Sequence, residues 1–363
     1  MTYYKIQLSN FEDYYLKNNF DIKTTTGYFT LKYKNKKDIL YRSLIFKNAN
    51  KLISFSPPKS IQLSDNFWDG DIYAEEFIDG TMINLFWDNK WNIATRSNVG
   101  GYNYIDNKTF RTMFLESMED SCQLEELDII GENGGRMVYS FVLQHINNRI
   151  VSKINKNKLY LVERYEIKHI NKDLNQVYPV TKPFNYKKFG FFKPTIYSNN
   201  ISRDNYKEMT DLYASYKTPY IIMGVVFKNK STRMRVKYRN PNYEKVRELH
   251  GNYINSKYRY LELKRNNKVK DYLKYYPEKR DLYNNFDKKI KQIITQIHKY
   301  YLNIYVHHTL SINTCPGLYK KHLYEIHKLY LSTKIKTTRN RVKYYFNTLN
   351  SKQVLFILNR TKN

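Results

Sequence analysis

Residues 73–97 constrain the chain more than any other stretch. Ile72, Tyr73 and Ala74 lead into an acidic pair, Glu75 and Glu76, and Asp79-Gly80 follows as a dipeptide suited to a tight turn. Met82, Ile83, Leu85 and Phe86 resume an apolar run, Asp88-Asn89-Lys90 interrupts it, and Trp91 to Ala94 begins another. Apolar segments separated by turn residues predict strand, turn, strand, hairpin turn and strand. A β-rich core follows from this pattern, and no chemistry does.

The same reading extends on both sides. Residues 1–38 are polar and tyrosine-rich, and read as short strands or a helix packed outside the core. Tyr41 to Phe46 predicts a strand, with Lys51 to Ser56 as its hairpin partner across Asn48-Ala49-Asn50. Pro57-Pro58 ends that strand, because proline cannot donate to a ladder, and leaves Lys59 on a rigid loop. Thr109 to Glu116 and Glu125 to Asp128 are helix-compatible, and Gly131, Gly134 and Gly135 close that region with a loop. Tyr139 to His145 returns to a strand, and Leu159 to Val162 reads as a paired strand. Residues 168–218 read as a polar insertion of loops with one short helix near 204–216. Ile221 to Lys228 is a continuous apolar strand, and Arg233, Arg235 and Lys237 alternate on the next, so they share one face.

The character changes after Asn240-Pro241. Tyr243 to Leu249, Tyr258 to Asn266, Asp281 to Tyr305 and Gly317 to Leu331 show helical spacing with lysine-rich outer faces. Ile290, Ile293, Ile294, Ile297, Tyr300 and Tyr301 form an apolar stripe, the mark of a helix-bundle core rather than of a cofactor site. Two domains are expected: residues 1–240, α+β with antiparallel sheets and flanking helices, and 241–363, all-α and basic. The charge is lopsided in the same sense. Residues 1–228 carry 31 basic and 25 acidic side chains, whereas 229–363 carry 31 and 8, within a net charge of +29. A coding bias toward Lys, Asn, Ile and Tyr would not empty one half of acids, so a polyanionic partner is expected. Cys122 and Cys315 make neither a metal spacing nor a disulfide framework, which suggests a reducing compartment. Residues 1–20 lack the apolar core of a signal peptide, and no apolar run approaches a membrane span. A soluble intracellular protein with no membrane partner is therefore expected.

Several of these stretches resemble the motifs of the covalent nucleotidyltransferases, the RNA ligases, DNA ligases and capping enzymes. Asp79-Gly80-Thr81 is similar to the second half of their Lys-x-Asp-Gly signature, and Ala94-Thr95-Arg96-Ser97 to the short basic strand that follows it in RNA ligases. Arg42 and Lys59 take the places of an arginine and a lysine that phage-type RNA ligases of the first class set against nucleotide phosphates. Asn148-Arg149-Ile150-Val151 matches a further run of that class. Met223-Gly224-Val225-Val226-Phe227-Lys228 resembles the Glu-Gly-hydrophobic-hydrophobic-x-Lys motif, and Arg235 and Lys237 match the final basic pair that binds the α-phosphate. The stretches around Phe55 to Ser60, Gly80 to Asn84, Phe141 to His145 and Arg239 to Tyr243 are also similar to RNA-ligase-like proteins of giant viruses. By that resemblance the first domain is a ligase-type, ATP-grasp-like nucleotidyltransferase domain, and the setting is a host cytoplasm or a virion.

Three positions depart from the family pattern. Phe77 stands where the nucleophilic lysine belongs and has no lone pair. Phe141-Val142 and neutral Gln144 omit the carboxylate that holds the ribose. Met223 replaces the carboxylate that organises the metal. His145, beside a turn, reads as structural. The resemblance thus implies nucleotide or phosphate binding by Arg42, Lys59, Asp79, Gly80, Arg96, Lys228, Arg235 and Lys237, with no catalytic or metal-binding residue assigned. The favoured reading is a catalytically degenerate fold that binds RNA or nucleotide. An active ligase using a displaced lysine (Lys59, Lys228 or Lys237), with ATP and Mg²⁺, is a second. A structural nucleic-acid-packaging protein is a third.

Overall fold

A computed structural model describes residues 3–7, 20–25, 27–34, 40–47, 51–102, 104–105, 108–118, 124–171, 174–253 and 255–361. It divides the chain into two compact units, Met1–Arg247 and Glu248–Asn363, seven residues beyond the division read from sequence. The architecture is α+β, with antiparallel sheets in the first unit and helices in the second.

The strands begin with β1 (Tyr4–Gln7), β2 (Phe20–Thr25), β3 (Tyr28–Tyr33), β4 (Leu44–Lys47) and β5 (Lys51–Phe55). The central group is β6 (Ile72–Glu76), β7 (Thr81–Asp88), β8 (Lys90–Thr95) and β9 (Asn98–Val99), then the short pair β10 (Tyr104–Ile105) and β11 (Lys108–Thr109). Helix α1 (Phe110–Glu116) precedes β12 (Arg136–Gln144), β13 (Lys158–His169), β14 (Leu174–Pro179) and β15 (Ile196–Ser198). Helix α2 (Tyr206–Tyr213), β16 (Gly224–Asn229), β17 (Arg235–Arg239) and α3 (Pro241–His250) follow. Three larger sheets result, ordered β2-β3-β4-β5, β1-β14-β13-β12-β7-β8-β9 and β15-β6-β16-β17.

Strand β12 shows why the middle sheet holds together. Side chains alternate across a strand, so Met137, Tyr139, Phe141 and Leu143 enter one core with Phe114, Phe189 and Phe191. Val138 enters the opposite core with Phe86, Tyr165 and the inner face of the β2–β5 sheet. Buried polar groups on that face are paired: Ser140 donates to Asn84 Oδ1 at 2.9 Å, and Asn84 Nδ2 donates to Ser56 Oγ at 2.7 Å. The β7–β8 hairpin turns at Asn89, whose φ of +60° is a left-handed conformation that asparagine tolerates.

Several sequence expectations need correction. Asp79-Gly80 makes no hairpin turn, because β6 pairs with β15 and β16 while β7 lies in the other sheet. Residues 77–80 are a crossover, and pairing between distant strands outweighs the local turn preference. Gly80 is needed there for clearance: a Cβ would meet the Leu143 carbonyl oxygen at 2.5 Å. The N-terminal stretch is not outside the core, since Ile6, Phe20 and Leu31 are buried in it. The segment 168–218 contributes β14 and β15 besides its helix, so it is not merely loops. Arg233 precedes β17, with φ of +61°, and therefore does not continue the alternation of Arg235 and Lys237. The 48–50 turn lies outside the described residues.

The second unit consists of α4 (Ser256–Arg265), α5 (Val269–Tyr275), α6 (Arg280–Tyr305), α7 (Gly317–Thr333), α8 (Arg339–Thr348) and α9 (Ser351–Arg360), with short 3₁₀ turns. Ile290, Ile293, Ile294, Ile297 and Tyr301 of α6 are buried as the spacing predicts, and Tyr300 is half-buried. A capping box formed by Asn350 and Gln353 starts α9, which buries Val354, Ile357 and Leu358. Among the described residues, no helix is long and apolar enough to cross a membrane.

Asp88 joins two sheets of the first unit. It accepts from Lys47 Nζ at 2.7 Å and from the Tyr28 hydroxyl at 2.8 Å. Burial alone would raise its carboxyl, but these two donors hold it below the usual range. A depressed folded pKa stabilises above the unfolded carboxylate value and loses that contribution as pH falls through the folded one. Asp88→Asn should therefore cost about 1 kcal/mol at neutral pH, because Lys47 is partly solvent-screened. Urea melts of the two proteins should converge in acid.

Candidate functional site

A cleft of about 220 Å³ opens in the first unit between β6, β16, β17 and the start of α3. Its lining includes Arg42, Lys228, Arg235, Lys237, Arg239 and Arg247, against Glu75, Glu76 and Asp79. The structure thus brings together Arg42, Asp79, Gly80, Lys228, Arg235 and Lys237 from the expected set. Lys59 and Arg96 are not in the lining. Lys59 Nζ lies 5.7 Å from the Tyr33 ring centroid, and Arg96 is exposed, its carbonyl accepting from Ser43 Oγ at 2.7 Å.

Asp79 is a fastening point. Its Oδ2 accepts from the backbone N–H groups of Val151 (3.1 Å) and Ser152 (2.9 Å), and its Oδ1 from the Tyr243 hydroxyl at 2.7 Å. Gln144 donates to its carbonyl at 2.9 Å. The 149–152 run, the end of β12 and α3 are all tied to one crossover. His145 is structural too. Its Nδ1 accepts from the Asn147 N–H, which fixes Nε2–H as donor to Glu116 at 2.8 Å.

The cations divide into spent and unspent. Lys228 Nζ lies 2.7 Å from Glu75 and 2.8 Å from Glu163, and Arg235 lies 3.8 Å from Glu163. Burial holds the Glu75 carboxyl above its ordinary range despite Lys228. Burial also opposes ionisation of Glu163, but Lys228 and Arg235 override it and hold that carboxyl low. Arg239 and Arg247 share Glu244, each at 3.1 Å. Arg235 Nε is buried with no partner among the described residues.

Two cations remain. Arg42 donates to the Pro57 carbonyl at 3.5 Å and pairs with no carboxylate among the described residues. Burial, then Arg235 and Arg96, lower it to about 10, which leaves it charged at neutral pH. Lys237 is half-buried, with Nζ 4.6 Å from the centroid of the Phe77 ring, and it too meets no carboxylate. Burial, then Arg235, Arg42, Lys228 and Arg239, push its amine well below the usual lysine value. A ring face returns about 0.5–2 kcal/mol to a cation, roughly one pKa unit. Several neighbouring cations outweigh that, so the net direction stays downward.

Glu75, Glu163, Arg239, Tyr243 and Arg247 were not singled out from sequence. Arg239 continues the alternation of Arg235 and Lys237, a signal that was available. Glu75 and Glu163 lie on distant strands, and no spacing joins them to Lys228. Met223 and Phe77 both line the cleft. Among the described residues, no three His, Cys, Asp or Glu side chains gather as a metal-binding group. Glu75 is already paired with Lys228, and Asp79 accepts from two backbone N–H groups and the Tyr243 hydroxyl.

No family model matches the sequence, and no curated protein matches it. Solved structures similar to this chain include a candidate ATP-dependent DNA ligase from Aquifex aeolicus, at 13% identity and a TM-score of 0.43. Two forms of an archaeal ATP-dependent RNA ligase match at 15% and 14% identity, with TM-scores of 0.38 and 0.39. The matches cover 64%, 61% and 64% of this chain but only 62%, 54% and 60% of those chains. At these values the likeness is distant.

Asp79→Ala should destabilise by about 2–4 kcal/mol, because it strands buried N–H donors as well as removing bonds. Tyr243→Phe, which deletes one hydroxyl, should cost about 1 kcal/mol. Equal losses in denaturant titrations would contradict the fastening role.

Proposed function

We propose that the first unit is a ligase-like nucleotidyltransferase fold whose cleft binds a phosphate-bearing ligand, a nucleotide or a phosphorylated nucleic-acid end, without nucleotidyl transfer. What supports this reading is that Arg42 and Lys237 line a cationic cleft without meeting a carboxylate among the described residues, beside Phe77, which by the motif resemblance stands at the nucleophile's position. Unspent cations in a sheltered cleft are relieved by an anion. ATP, AMP or tripolyphosphate should raise the melting temperature. At a hundredfold excess over Kd the gain is about 2.7 kcal/mol. Arg42→Gln and Lys237→Gln should each weaken it.

With labelled ATP and Mg²⁺, no label should survive denaturing electrophoresis, because phenylalanine cannot form a phosphoramidate. Retained label that vanishes in Lys237→Arg would overturn the non-covalent reading and make Lys237 a displaced nucleophile. Phe77→Lys alone should not restore adenylation, since Met223 offers no carboxylate.

The second unit supports a nucleic-acid partner. Residues 248–363 hold 24 basic and 7 acidic side chains. Two grooves meeting at Gln296 and Thr361 are flanked by Lys288, Lys291 and Arg339 on one side and by Lys299 and Arg360 on the other. We read these as contacts to phosphates rather than to base edges, with RNA favoured. Anisotropy titrations of the full chain with a labelled RNA should show log affinity falling with log salt by about 0.7–0.9 per phosphate contacted. Lys288→Glu with Lys299→Glu should flatten that slope. Binding insensitive to salt would mean that these lysines only solvate the helices.

A further inference from the structure

Lys237 has chemistry beyond that of a phosphate contact. Its amine lies inside a cleft, faces the carbon ring of Phe77 at 4.6 Å, and meets no carboxylate among the described residues. Lys228, by contrast, is held as an ammonium between Glu75 and Glu163, and Lys59 lies outside the lining. Among the lysines lining this cleft, Lys237 is therefore the one with no carboxylate among the described residues to hold its proton. A lysine beside other cations and sheltered from water is a pattern of activated amines.

We propose that Lys237 captures small phosphorylated aldehydes as an imine, with Arg42 and Arg239 receiving the phosphate. The proposal rests on the phosphate-binding reading of the cleft. The Nζ lone pair attacks the aldehyde carbon and forms the C–N bond, and a proton passes from nitrogen to the new alkoxide. The resulting hydroxyl leaves as water while the nitrogen loses its remaining proton, giving the C=N bond. Nothing is oxidised or reduced, and water is the only product besides the imine. Arg239, which shares Glu244 with Arg247, and Arg42, which shares no carboxylate, supply the charge that a phosphate needs. Burial and the surrounding Arg235, Arg42, Lys228 and Arg239 lower the amine's proton affinity, which leaves more of it neutral near pH 7.

Substoichiometric pyridoxal 5′-phosphate is the probe, with borohydride added to fix the imine and peptide mapping to locate it. The expected result is one dominant adduct, on Lys237, suppressed by tripolyphosphate and absent in Lys237→Gln. A lowered proton affinity leaves more free base at neutral pH, so Lys237 should be labelled faster than ordinary lysines. Arg42→Gln keeps the amine and should slow labelling, which tests the assignment even if Lys237→Gln folds poorly. Stabilisation by tripolyphosphate together with adducts only on other lysines would overturn the amine assignment while leaving the phosphate site intact. Equal labelling of Lys237 by pyridoxal and by its phosphate, without protection by tripolyphosphate, would overturn phosphate recognition and the reading on which it rests.

Discussion

The carboxylate of Asp79 is the interaction on which the cleft depends. The chain passes there from a strand of one sheet to a strand of another, and a crossover of that kind has no ladder of its own. Asp79 supplies the missing bonds, taking two backbone N–H groups from residues 151–152 and the hydroxyl of Tyr243. Charge-assisted bonds of this type are the strong ones, and their loss leaves donors buried without partners. Gly80 completes the passage by letting the crossover lie against the backbone of β12. Asp79 thus has an architectural duty in lining the cleft.

Around that fixed point the cleft distributes its charge unevenly. Lys228 and Arg235 are compensated by Glu75 of their own sheet and by Glu163 of the seven-stranded sheet, and Arg239 and Arg247 by a glutamate on α3. Arg42 and Lys237 are left over. Two half-buried cations that meet no carboxylate among the described residues raise the energy of the empty protein, which is the physical sense in which the cleft is prepared for an anion. The helical unit differs, since most of its described lysines are exposed and its charge acts over the surface.

Much of this was legible in the sequence. Local signals carried the 81–95 hairpin, the 44–55 pair, the strand at 224–229 and the α6 stripe, because each depends on neighbours within a few residues. The departure of β6 into a different sheet was not legible, because its partners β15 and β16 lie more than a hundred residues downstream. For the same reason, motif resemblance alone marked Lys228 as a phosphate contact. That Glu75 and Glu163 neutralise it emerges only when three strands are assembled. Lys59 and Arg96 show the converse: motif resemblance named them, and the backbone carries them outside the cleft lining.

The buried ion network also governs strand alignment. β16 reads Gly-Val-Val-Phe-Lys-Asn and is buried along its whole length, so apolar contacts by themselves would accept more than one register against β6. Sliding it by one residue would turn Lys228 to the opposite face and abandon Glu75 and Glu163 without a counterion. Removing one partner from a buried pair costs about 3–5 kcal/mol, far more than a shifted valine. Lys228 therefore serves as an index pin: its burial between two carboxylates penalises a misaligned sheet, and so helps to place Lys237, on the very next strand β17, against Phe77.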